Sequence, residues 1–154
     1  MITTKRLLFT LAAVVTFSSV SAFAQEEVKL EITSNDMMQY DKKVLEVTTG
    51  QKVTIEFKHI GKLPKAAMGH NIVILMPGTV GPAFAMKGMT AATTGYIPQD
   101  EESKKLVVAH SEMVGGGETS IFSFVAGAPG EYPYLCTFPG HFALMQGVLT
   151  VKPK

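Results

Sequence analysis

Tyr132-Pro133-Tyr134-Leu135-Cys136-Thr137-Phe138-Pro139-Gly140-His141-Phe142-Ala143-Leu144-Met145-Gln146-Gly147-Val148-Leu149-Thr150-Val151 is the stretch around which the rest of the chain is ordered. Tyr132, Tyr134 and Cys136 recur at every second position, so they share one face of a strand. Residues 147–151 are β-prone and read as a closing strand. Pro139-Gly140 forces a turn between the two. The thiol of Cys136, the imidazole of His141 and the thioether of Met145 therefore lie on one short loop. A second imidazole, His70, sits far upstream in Met68-Gly69-His70-Asn71. Two His, one Cys and a weak Met are the donor set of a blue-copper electron-transfer centre. Cys136 and His141 can face one ion from either side of the turn, with Met145 approaching axially.

Other chemistries use some of these residues. A Cys near a His can be a nucleophile pair, and a lone Cys is most often a buried core residue. A hydrolase would leave His70 and Met145 without a role. Zinc accepts sulfur and nitrogen, but its structural sites use four strong donors rather than a thioether.

Upstream, the pattern is β at short intervals. Val28, Leu30 and Ile32 alternate with charged residues, and Val53, Ile55 and Phe57 alternate with Thr54 and Glu56. Residues 44–47 precede a turn at 48–51, and 72–76 form a continuous apolar run suited to a strand covered on both faces. Residues 105–108 and 119–125 read as further strands, separated by a flexible Gly115-Gly116-Gly117 turn. Eight strands fit an all-β, two-sheet Greek-key sandwich. Residues 77–95, rich in Ala, Gly, Met and Thr, read as a flap with a short helix within 82–93.

The N-terminus reads as an address. Lys5-Arg6 precedes an apolar stretch at 7–17, and Ala22-Phe23-Ala24 fits a signal-peptidase site. The expected division is a signal peptide over 1–24 and one domain over 25–154, exported to the periplasm and not inserted in the membrane after cleavage. Loss of Lys5 and Arg6 leaves 12 basic residues against 13 acidic ones. Such a balance offers no basic face for nucleic acid and no acidic block for strong steering. With one Cys in the whole sequence, no disulfide can form within the chain.

His59 and His110 lack the spacing to join the loop and read as surface or half-buried structural residues. The numerous Met residues read as core filling and an adaptable apolar face rather than a copper-transfer ladder, since no Met-x-Met or Met-x-x-Met ladder stands in a polar tail.

Over residues 26–154 the chain resembles the azurins, small periplasmic cupredoxins. The likeness is carried by Asn35-Asp36-Met37-Met38-Gln39, Leu63-Pro64-Lys65, Met68-Gly69-His70-Asn71, Val108-Ala109-His110 and above all residues 136–145. It implies a weak carbonyl ligand from Gly69 opposite Met145. It also implies hydrogen bonds to the Cys136 sulfur from Asn71 and the Phe138 amide, and a partly buried His59 that titrates near the site. Val28 and Gly50 stand where the best-known members join two Cys, Ile72 replaces a buried Trp, and Phe142 replaces a small polar residue.

The expected protein is a monomeric electron carrier, not an enzyme, holding one type 1 copper through His70, Cys136, His141, Met145 and Gly69. Its partners would be redox proteins such as c-type cytochromes or copper or haem reductases and oxidases. Electrons would leave at His141, inside an apolar patch containing Leu63, Met68, Phe138, Phe142 and Leu144. The alternative is a copper-binding and delivery protein without an electron-transfer role.

Overall fold

The computed structural model describes residues 26–154, so the expected signal peptide lies outside the described residues. The elements are β1 (Glu27–Asn35), β2 (Gln39–Tyr40), β3 (Val44–Thr48), β4 (Lys52–His59), the one-turn helix α1 (Lys65–Met68), β5 (Val73–Leu75), α2 (Gly81–Lys87), α3 (Glu101–Leu106), β6 (Val107–His110), β7 (Thr119–Val125), β8 (Gly130–Leu135) and β9 (Gln146–Lys152). Short 3-10 turns occupy Ala92–Thr94 and His141–Ala143. One sheet has the order β2-β1-β4-β7, the other β3-β9-β8-β5-β6.

Both sheets are mixed. β1 runs parallel to β4, and β3 parallel to β9, while the remaining pairs are antiparallel. The alternation of β4 buries Val53, Ile55, Phe57 and His59 and leaves Lys52 wet. These apolar side chains meet Leu45, Val47, Ile74, Tyr134 and Leu149 of the other sheet in one core. Ile72, which stands where the azurins usually have a buried Trp, is fully buried in that core.

β5 is covered on both faces, as its unbroken apolar run predicts. Ile74 faces the inter-sheet core; Val73 and Leu75 face a second cluster with Phe84, Ala85, Ile97 and Leu135. The flap supplies that cluster, and α2 begins with Pro82 in its first turn, where the missing N–H costs nothing. The two sheets comprise nine strands rather than eight, because Gln39–Tyr40 adds a short edge partner to β1. The strand expected at 105–108 also needs correction. Residues up to Leu106 are helical, since Asp100 caps α3 by accepting from the Ser103 amide, and the strand starts at Val107.

The triple glycine turn is not a flexible spacer. A Cβ at Gly115 would strike the backbone of Lys65, and one at Gly116 the backbone of Lys62. Hydrogen bonds from Gly116 N–H to Leu63 O (2.8 Å) and from Gly117 N–H to His59 O (2.8 Å) fix this approach. The small residues let two chain segments touch beside the site.

Candidate metal centre

β8 ends at Leu135, and the next residue, Cys136, is fully buried. Its amide donates to Met145 O (3.1 Å), so the loop closes on itself where β8 meets β9. Inside the loop, Gly140 takes a left-handed conformation (φ 82°) that favours glycine. His141 N–H then donates to Phe138 O (3.0 Å), and Met145 N–H to His141 O (2.9 Å). His70 is placed from another direction by reciprocal backbone bonds with Val114.

The structure brings together three of the predicted site residues. Cys136 Sγ lies 4.0 Å from His70 Nδ1 and 3.9 Å from His141 Nδ1, and the two nitrogens are 3.1 Å apart. A point equidistant from three atoms so spaced lies about 2.1 Å from each, within the range of metal–imidazole and metal–thiolate bonds. All three residues are buried. The fully buried Met145 lies on the same loop, and Gly69 O faces the cluster at 4.0 Å from Cys136 Sγ.

Tautomers support the fit. His70 Nε2–H donates to Asn35 O at 3.0 Å, leaving its Nδ1 lone pair directed at the cluster. His141 Nδ1 faces the same point at 3.1 Å from His70 Nδ1, so with its Nδ1 unprotonated both rings offer lone pairs to one cation. Burial lowers the His70 pKa to about 4, against the pull of the Asn35 carbonyl, so the ring is neutral at pH 7. Burial likewise lowers His141. The Cys136 thiol is pushed up to about 12 by burial, although the Asn71 and Phe138 backbone amides act the other way. A thiol so disfavoured as a free anion is a poor nucleophile, and metal coordination is what would make it a thiolate.

Asn71 does more than sequence reasoning assigned it. Its backbone amide serves the Cys136 sulfur, while its side chain ties down the loop. Asn71 Oδ1 accepts from Thr137 N–H (2.9 Å) and Thr137 Oγ1 (3.2 Å), and Nδ2 lies 2.8 Å from Thr137 Oγ1 and donates to Gly95 O (3.1 Å). Thr137 Oγ1 is also 2.7 Å from Gly95 O. The flap is thereby anchored to the metal loop.

His59 and His110 stay out of the cluster, as their spacing implied. Yet His59 is fully buried rather than superficial, with its ring centroid 4.4 Å from that of His70. Its Nε2 is 3.2 Å from Asp36 Oδ1, within ion-pair distance though not aligned as a hydrogen bond. Asp36 is the residue missed. The amides of Lys62 and Leu63 hold its carboxyl below the usual range and fix the segment that leads into α1. The expected surface patch is also redrawn. Leu63 and Leu144 are well exposed, but Phe142 packs against the flap cluster of Phe84 and Leu135.

A mixed two-sheet sandwich with a buried His-Cys-His cluster beyond the end of β8 defines the cupredoxin class, and the donor set fits one type 1 copper ion. The model of the family described as copper binding proteins, plastocyanin/azurin family, matches residues 26–152, and the chain belongs to that family. It is 43% identical over 131 residues to Azurin-1 of Alcaligenes xylosoxydans xylosoxydans, covering 80% of this chain and 96% of that protein. It is 42% identical over 123 residues to outer membrane protein H.8 of Neisseria gonorrhoeae, covering 78% of this chain but only 65% of that longer protein. Among solved structures it is similar to dithionite-reduced auracyanin from Roseiflexus castenholzii, with a TM-score of 0.72, 36% identity and coverage of 81% and 97% of the two chains.

Proposed function

We propose that this protein is a soluble periplasmic electron carrier that exchanges single electrons with redox proteins and turns over no substrate. The observation that carries the proposal is the placement of Cys136 Sγ and two imidazole Nδ1 atoms at bonding separation about one buried point. His70, Cys136 and His141 would be the strong ligands, with Met145 and the Gly69 carbonyl as weak axial ones. A bound copper ion supplies a one-electron Cu(II)/Cu(I) couple.

The chain's own residues make that couple usable. Strand ends and the Asn71–Thr137 bonds hold the donors in place, so neither oxidation state can relax far. Core residues Ile72, Val114 and Tyr134 exclude water around Cys136. The His70 and His141 rings lie tilted to each other with centroids 4.9 Å apart, and Phe138 lies over His141 at 4.5 Å. Leu144 and Leu63 provide exposed apolar surface on the neighbouring loops, which favours brief docking with c-type cytochromes or with copper or haem oxidoreductases. Cyclic voltammetry of the copper-loaded protein tests the proposal. A reversible one-electron wave that persists without copper loss is expected. Release of copper on reduction would favour a delivery protein instead.

A further inference from the structure

Beside the metal loop lies a cavity of about 760 Å³, open on one side, whose walls include Lys65, Thr93, Tyr96, His110, Glu112 and Phe138. Its volume falls in the range of small-molecule sites, and its mouth is wide. We propose that this cavity binds a small planar hydroxylated aromatic molecule of about two fused rings, stacked on Tyr96 with Phe138 meeting its edge, and hydrogen-bonded through its hydroxyl to His110 or Glu112.

The aromatic wall is built, not incidental. Tyr96 and Phe138 meet edge to face at 5.3 Å, and Phe138 continues to the His141 ring. Tyr96 holds a φ of 60°, a conformation bulky residues rarely adopt. It is kept there by its amide, which donates to Ala91 O (2.9 Å), and by the close approach of its carbonyl to Gly88, where any Cβ would clash. Such strain is retained where surrounding structure fixes a side chain in place. Three of the four tyrosines donate their hydroxyl to a backbone carbonyl; among the described residues the Tyr96 hydroxyl has no such partner.

The polar wall is equally unspent. His110 Nδ1–H donates to Ser111 O (3.0 Å), which leaves Nε2 as the ring nitrogen facing outward. Glu112 is exposed, and its carboxylate makes no ion pair among the described residues. A carboxylate acceptor and a ring nitrogen on one side and an aromatic face on the other match a phenol-type ring better than an anion or an aliphatic chain. Gly95, next to Tyr96, is bonded to both Asn71 and Thr137, so the aromatic wall and the metal loop move as one body.

The test uses umbelliferone, a two-ring phenol, titrated into metal-free and diamagnetic Cu(I)-loaded protein and followed by NMR shifts. The expected result is saturable shifts confined to residues 92–99, 110–113 and Phe138 in both forms. A decalin alcohol, which keeps a hydroxyl but lacks the aromatic face, should bind at least tenfold more weakly. Tyr96→Leu should weaken umbelliferone at least fivefold, and the exposed His110→Ala by a smaller factor. Should Tyr96→Leu fail to fold, Ala92→Trp, at an exposed position on the cavity wall, should abolish binding by filling the space. Three results would each overturn the proposal: no saturable shifts, shifts centred elsewhere, or equal binding of the saturated alcohol. Concentration-dependent shifts of the same residues without any probe would assign the cavity to a second copy of the chain and also overturn it.

Discussion

Asn71→Ala should be the costliest polar substitution in the domain. Asn71 is fully buried, and its carboxamide makes three contacts with Thr137 and one with Gly95. The Thr137 hydroxyl can fall back on Gly95 O, at 2.7 Å, so those bonds are partly replaced. The Thr137 N–H has no such substitute and would be stranded in the interior, which alone costs about 1–3 kcal/mol. The small void and the lost bond to Gly95 add to this, giving about 2–4 kcal/mol in total. Chemical denaturation of metal-free protein measures it as a shift in midpoint at constant slope. A cycle with Thr137→Val should return a coupling energy of about 1–2 kcal/mol, because the two side chains share their bonds. A loss below about 1 kcal/mol for Asn71→Ala, or additivity in the cycle, would show that this network does not hold the loop.

Metal-free protein should lose stability in mild acid. Folding depresses His70 from 6.5 to about 4, so the unfolded chain takes up the proton first. The contribution is complete above pH 6.5 and declines towards pH 4, by up to about 3 kcal/mol, measurable as midpoint against pH; a flat profile would contradict the burial of a neutral ring. Leu144 is exposed on the loop, so Leu144→Lys should leave the visible spectrum unchanged but slow electron self-exchange about tenfold, or ~1.4 kcal/mol on the encounter, as read from NMR line broadening. An unchanged rate would move the docking face elsewhere. Gly147→Ala should cost about 2 kcal/mol or more in thermal or chemical denaturation, because the new Cβ meets the Tyr134 ring, whose hydroxyl is bonded to Lys42 O at 2.7 Å. A neutral result would mean that the core can shift to admit it.

The site was legible because its donors are chemically rare and closely spaced. Cys136, His141 and Met145 declare themselves within ten residues, and a soft thiolate beside imidazoles narrows the metal to copper. The strands over residues 28–32 and 53–57 were legible through strict alternation, since one face of each sheet is wet. Pairing direction was not, because alternation is the same in parallel and antiparallel neighbours; the parallel β1–β4 and β3–β9 ladders appear only in three dimensions. Helix α3 was hidden behind the apolar Leu106-Val107-Val108, although the Asp100 cap and the acidic first turn were a signal that could have found it. The role of Asp36 left no trace of this kind. Its carboxylate acts on Lys62, Leu63 and His59, more than twenty residues away, and a lone Asp in a turn-like segment carries no mark of such partners. The sequence of glycines at 115–117 suggests freedom, but their role is close approach, a distinction set by what packs against them.

The visible absorption spectrum of the copper-loaded protein, beside that of Cys136→Ser, tests the copper centre most directly. If Cys136, His70 and His141 hold one copper ion, the oxidised protein should show an intense sulfur-to-copper charge-transfer band at one ion per chain. That band should vanish on reduction and be absent from the serine variant, whose hydroxyl is a harder donor. A band that survives in Cys136→Ser, or a protein that binds copper without any intense visible band, would contradict the thiolate centre.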